Sequence, residues 1–194
     1  MKKYKIALII FILSSCGGGG SSGSQDINIP IETDNNNSLN ETCIDTSRSG
    51  MKRCSFKHDN LDRFYYIYTP NNIDTNESIP VLFAFHGYGS SAIRHLNYTK
   101  YFPLADSENF IVIYPQGATT ATLSSHWNVG GWTSKSTIND LDFVDTIIGL
   151  TKDKIQIDET RIYSSGMSNG GYMGYHLACN LSSKFAAIAS VTGS

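Results

Sequence analysis

The run Arg161-Ile-Tyr-Ser-Ser-Gly-Met-Ser-Asn-Gly-Gly-Tyr-Met-Gly174 places Ser168 between Gly166 and Gly170, after an apolar strand-like segment and before a helix-like one. A serine hydroxyl must stand clear of its own backbone to attack a carbonyl carbon. A tight strand-to-helix turn achieves this only if small residues flank the serine. The run therefore reads as a nucleophile elbow, and it commits the chain around it to a strand, a sharp turn and a helix. A phosphate-binding turn is the competing reading of a glycine-rich helix start. The run lacks both the Gly-Lys-Ser/Thr ending and the Gly-x-Gly-x-x-Gly spacing that such turns carry.

From residue 61 onward, strand-like and helix-like segments alternate. Short apolar runs at 64–68, 81–85, 110–114, 161–165 and 185–191 predict strands, several of them stopped by Pro or Gly. Residues 92–107 and 170–181 predict helices. So does 139–152, whose apolar positions Leu141, Val144, Ile147 and Ile148 recur near the helical period, with Asn139 or Asp140 as cap. Unbroken apolar strands separated by helices predict an α/β fold, a mostly parallel sheet covered on both faces.

The loop after the second strand, His86-Gly-Tyr-Gly89, fits the same chemistry. A tetrahedral intermediate carries a negative oxygen that preorganised backbone N–H groups must hold. Asn169, directly after the serine, offers one such donor, and Tyr88 is the expected second. His86 is expected to brace that loop rather than to act as a base.

Lys2, Lys3 and Lys5 precede the apolar residues 6–13, followed by Ser14, Ser15 and Cys16. This predicts an export signal over 1–15, its apolar stretch being too short for the roughly 20 residues that span a bilayer. Leu13-Ser-Ser-Cys16 resembles the lipobox of bacterial lipoproteins. That implies acylation of Cys16 and a membrane anchor in the cell envelope, at an outer membrane or the cell surface. Ordinary secretion is the alternative. The Gly-, Ser- and Asn-rich residues 16–42 predict a flexible tether, leaving 43–194 as the folded part. Without its leader the chain loses three of its 15 basic residues and none of its 17 acidic ones, and moves from a net charge of −2 to −5. No basic patch remains, which excludes nucleic acid as a partner. A charged fraction of 16% suits an uncharged or polymeric substrate. Cys43 and Cys54 are expected to pair, since disulfides persist in exported proteins; they have no His or Cys cluster around them that would suggest zinc. Cys179 is left odd, either awaiting a partner or buried as a small apolar side chain.

The succession Phe85-His-Gly-Tyr-Gly89, Tyr114-Pro-Gln-Gly117, Trp127-Asn-Val-Gly-Gly131, Asn139-Asp-Leu-Asp-Phe-Val144 and Gly166-Met-Ser-Asn-Gly-Gly-Tyr-Met173 resembles a secreted esterase family of α/β-hydrolases. That family contains poly(3-hydroxybutyrate) depolymerases and feruloyl esterases, and the resemblance covers residues 61–194. It implies a serine carboxylic-ester hydrolase that works through an acyl-enzyme on Ser168 and needs no metal or organic cofactor. It also implies that Trp127 and Trp132 lie near a substrate mouth and that Asp140 and Asp142 are structural. Packing under a long loop is the other reading of the tryptophans. The expected substrates are polysaccharide-linked feruloyl or acetyl esters, or short polyesters.

In such enzymes the acidic residue and the histidine follow the serine in chain order, and neither has a counterpart here. The expectation is therefore an amino-terminal part of the enzyme. It carries a nucleophile without its activating partners, a last strand left as a bare parallel edge, and a role for a complementing chain that supplies Asp and His. His176 lies roughly 12 Å along the helix from Ser168, which leaves His126 as the remaining stand-in. A noncatalytic surface lipoprotein that binds a polymer or partner is the alternative of a different class, and a prolyl-bond peptidase is a third reading.

Overall fold

The computed structural model describes residues 39–74 and 76–193. The predicted signal at 1–15, Cys16 and most of the 16–42 tether lie outside them. The described chain forms one seven-stranded sheet. In chain order the elements are β1 Thr42–Asp45, β2 Met51–His58, β3 Leu61–Tyr68, β4 Ile79–Phe85, α1 Ala92–Thr99, α2 Phe102–Glu108, β5 Ile111–Pro115, a 3-10 turn Gly131–Thr133, α3 Asp140–Lys152, β6 Ile157–Met167, α4 Asn169–Asn180 and β7 Ala187–Val191. The spatial order is β1-β2-β3-β5-β4-β6-β7.

The sheet is mixed rather than mostly parallel. β5, β4, β6 and β7 pair in parallel, and β1, β2, β3 and β5 pair antiparallel. The reason is connection length, because a parallel partner requires a crossover of a dozen or more residues. β2 and β3 are joined by Asp59 and Asn60 alone, both at positive φ (48° and 62°), the geometry of a tight hairpin. β1 and β2 are absent from the sequence expectation. In β2 only alternate residues (Cys54, Phe56, His58) turn inward among Lys, Arg and Ser, so no apolar run announces the strand.

Both sheet faces are covered. On one, Val81, Phe83, Phe85, Ile111 and Ile113 pack with Phe143, Val144, Ile147 and Ile148 of α3 and with Met173 and Leu177 of α4. On the other, Ala84, Val112 and Tyr114 pack with Ala92 and Leu96 of α1 and Phe102 and Ala105 of α2. Odd and even strand positions divide between the faces as the two-residue pleat requires. The helical stretch expected over 92–107 is two helices, because Lys100 takes the left-handed conformation (φ 48°) and Pro103 opens the second. Asn139 caps α3, its side chain accepting from the Asp142 N–H at 3.1 Å. Among the described residues, no helix is long and apolar enough to cross a membrane.

The entry to the domain is tied down three ways. Cys43 and Cys54 sit opposite each other on β1 and β2 and form a disulfide. Glu41 accepts a hydrogen bond from the Tyr65 hydroxyl at 2.5 Å and pairs with Lys154. Because both sulfurs are bonded to each other, the Glu41, Cys43 and Cys54 group has no thiolate to offer a metal. Cys179 stands exposed on α4, which overturns its reading as a buried apolar side chain. Replacing Cys43 and Cys54 by serine should lower unfolding stability by up to about 3 kcal/mol, the chain-entropy value for a loop of this size. A urea midpoint unchanged by the double substitution would show that β1 is held without the bridge.

Candidate active site

β6 ends at Met167 and α4 starts at Asn169, so Ser168 alone makes the turn. It does so at φ 53°, ψ −119°, a conformation that L residues rarely adopt. Ser168 is exposed, while its N–H is committed to the Val191 carbonyl at 2.8 Å. The glycines on either side are steric necessities. A Cβ on Gly166 would lie 2.1 Å from the Gly170 oxygen, and one on Gly170 would lie 2.2 Å from the Phe85 oxygen. Helix, strand and turn thus meet backbone to backbone.

The loop after β4 packs against this turn, since a Cβ on Gly87 would lie 3.6 Å from that of Ser168. Within it the Gly89 N–H bonds to Ser125 O at 2.8 Å and the Ser90 N–H to Gly87 O at 3.1 Å. The N–H of Tyr88 has no acceptor among the described residues. Asn169 opens α4, where the first N–H groups have no intrahelical acceptor and the helix dipole favours negative charge. Two backbone donors therefore flank the serine, those of Tyr88 and Asn169.

His86 holds the loop in place. Its ring is fully buried, Nε2 accepts from the Gly117 N–H at 2.9 Å, and Nδ1–H donates to Gly87 O at 2.8 Å. With Nε2 as acceptor the ring is neutral, and burial agrees by pushing its pKa down to about 4. His86 is thus a brace.

Asn169 faces the other way with its side chain, accepting from the Trp127 N–H at 2.7 Å and donating to Trp127 O at 3.1 Å. The Trp127 indole N–H donates to His86 O at 2.8 Å, and its ring packs edge-on to Phe85. Trp127 is fully buried, which corrects its expected place at a substrate mouth: it joins the two donor-bearing segments from behind. Trp132 is different, being 53% exposed with its ring 5.2 Å from that of Tyr88.

The sequence did not single out Asp140 and Arg63 as a pair. Asp140 Oδ1 takes a 2.7 Å bond from buried Arg63, and Oδ2 takes one of 2.7 Å from the Asn128 N–H. A buried ion pair thereby fixes the start of the loop that carries both tryptophans. Its signal was an Arg inside a strand and an Asp at a helix start, which separately look like ordinary surface charges.

Each of the five histidines has another setting. His58 pairs with Asp142 at 2.8 Å, and His86 braces the loop. His95 is buried against the Tyr114 ring, while His176 lies 3.2 Å from the Asn180 amide on the same helix. His126 is buried with Nδ1 on Ser124 O at 2.9 Å. Among the described residues, none of them hydrogen-bonds to Ser168.

The sequence model described as the prolyl oligopeptidase family matches residues 96–194. The chain belongs to that family. Among its relatives, a bifunctional acetylxylan esterase/xylanase of Neocallimastix patriciarum is 34% identical over 131 residues, 68% of this chain and 18% of the relative. A feruloyl esterase B of Thermothelomyces thermophilus is 31% identical over 157 residues, 80% of this chain and 52% of the relative. The chain thus spans about half the length, or less, of these relatives. In structure it resembles an acetyl xylan esterase from Aspergillus awamori (TM-score 0.57, 22% identity, 68% of this chain and 48% of that one). It also resembles an S-formylglutathione hydrolase from Agrobacterium tumefaciens (TM-score 0.62, 14% identity, 76% and 60%). The fold is that of the α/β-hydrolase esterases, as the motif succession implied.

Two outcomes follow for this prolyl oligopeptidase-family domain. Ser168→Gly should raise unfolding stability by about 1 kcal/mol by releasing the strained turn; a lower urea midpoint would contradict the strain. The rings of His86 and His95 both have pKa values lowered to about 4 by burial. Between pH 6.5 and about 4 the unfolded chain binds protons that the folded rings refuse. Their neutral burial is therefore tolerated in full above pH 6.5, and stability falls as pH drops through that window, on the order of 3 kcal/mol per ring. Urea unfolding at pH 7 and pH 5 should show a smaller loss in His95→Gln than in the parent.

Proposed function

We propose that the protein is a serine carboxylic-ester hydrolase in which Ser168 attacks the ester carbonyl and carries the acyl group. The carrying observation is the strained, exposed Ser168 beside the N–H groups of Tyr88 and Asn169, which have no acceptor among the described residues. The serine oxygen bonds to the carbonyl carbon, the carbonyl oxygen takes the negative charge, and those two N–H groups hold it. Collapse expels the alcohol and leaves an acyl-enzyme that water opens. The proton of Ser168 must pass to a base, and the settings of the five histidines favour one supplied from outside the described residues, by further chain or by a complementing chain. Cys43 and Cys54 act only as a structural clamp in this reading.

The names of the relatives favour feruloyl or acetyl esters on plant polysaccharide as substrates, ahead of short polyesters. The leader reading makes the protein an exported lipoprotein, anchored through Cys16 in the cell envelope. A second reading, a noncatalytic surface lipoprotein that binds a polymer, draws on the same absence of a histidine at Ser168 among the described residues.

The test is hydrolysis of p-nitrophenyl acetate by the purified chain and by its Ser168→Ala variant. The expected result is slow p-nitrophenol release, with solvent standing in for the external base, which the variant loses. Equal rates in the two proteins would sink the nucleophile assignment for the chain on its own and favour the polymer-binding reading.

A further inference from the structure

Trp132 is an indole held out in water by a rigid turn. It is the central residue of the 3-10 turn Gly131–Thr133, entered through Gly130 (φ 74°) and Gly131 (φ 53°). Thr133 is fully buried; its hydroxyl donates to Gly130 O at 2.7 Å and accepts from the Val129 N–H at 2.9 Å. Asn128 ties the turn to the carbonyls of Ser136 and Ile138 at 3.1 and 2.9 Å. The exposed ring is thus not a consequence of a loose loop. Against it stands the ring of Tyr88, 42% exposed and inclined at 70°. The Tyr88 hydroxyl is fixed in turn by the Ser124 N–H at 3.2 Å. Tyr88 belongs to the loop that packs on Ser168, so this aromatic pair borders the nucleophile.

We infer that Trp132 and Tyr88 form a platform on which a sugar ring of the substrate's alcohol part stacks, an inference that rests on the esterase reading above. Three features of the surface choose this ligand. The pair is open to solvent and crossed rather than parallel, which offers one apolar face and no enclosed slot for a planar acyl group. A pyranose has the matching form, a C–H-rich face that covers an aromatic ring and a rim of hydroxyls left for hydrogen bonds. The surrounding segment carries neutral groups for that rim: of the eight Ser or Thr in residues 117–136 all but Thr133 and Ser136 reach the surface, and Lys135 is the single permanently charged residue. A charged ligand would find little there to pair with. Rigidity of the turn removes the ordering cost that a mobile aromatic would incur on binding.

The experiment reads binding without turnover. The full chain carrying Ser168→Ala is titrated with a linear β-linked xylose hexamer, following tryptophan emission and calorimetric heat. Of the two tryptophans, Trp127 is buried and Trp132 is exposed, so a saturable emission change on sugar addition reports on Trp132. Adding Trp132→Ala should weaken calorimetric binding by about tenfold or more, with the thermal unfolding profile retained. Trp132→Phe should keep most of the affinity, and Tyr98→Ala, which removes an exposed aromatic on α1, should keep all of it. If Trp132→Ala unfolds, Trp132→Gln takes its place. Absence of saturable binding by the parent, or equal affinity after loss of the indole, overturns the platform. If the chain with Ser168 intact still hydrolyses p-nitrophenyl acetate in that case, the platform falls while the esterase reading stands.

Discussion

The contact on which the rest of the site depends is the backbone approach of α4 to the end of β4. Gly170 lies so close to the Phe85 and His86 carbonyls that a methyl group would overlap both. That approach brings the first turn of a helix, whose leading N–H groups have no intrahelical acceptor, against the loop that leaves the neighbouring strand. β4 and β6 are adjacent and parallel, so the segments after their carboxyl ends emerge side by side. Ser168 and Tyr88 become neighbours although 80 residues separate them. The cost is a strained serine, which persists because both strands and the helix over-determine it.

Behind this contact, polar groups replace apolar packing. Gly117 donates to His86, Trp127 donates to the His86 carbonyl, and Asn169 takes and returns hydrogen bonds with the Trp127 backbone. Arg63 and Asp140 extend the support to Asn128. Such a network specifies one arrangement because each buried partner, if displaced, would be left unsatisfied in a low dielectric. The loop at 86–89 and the start of α4 are therefore held by elements from four parts of the chain. A neutral His86 suits this role, since a charged ring could not accept the Gly117 N–H.

The parallel half of the fold was legible because its strands are continuous apolar runs. β1 and β2 were not, because a strand with one buried face among lysines and arginines carries little local signal, and its inward Cys54 and Phe56 gain meaning only once α3 lies over them. The elbow was legible for a local reason: Gly166, Ser168 and Gly170 meet a steric demand set within a few residues. Trp127 and Trp132 show the opposite. They stand five residues apart in one loop, yet one ring is sealed against Phe85 and His86 and the other is in water. No pattern in the loop distinguishes them.

The amino-acid sequence by itself determined the alternation of strands and helices, the turn at Ser168 and the glycine-rich loop at 86–89, because each follows from short-range sterics and hydrophobic period. Only the tertiary structure decided that Trp127 is a strut and Trp132 a surface ring, that Asp140 neutralises Arg63, and that the five histidines are engaged away from Ser168. Those assignments depend on which segments the sheet order brings together, and burial is a property of that assembly rather than of any residue's neighbours along the chain.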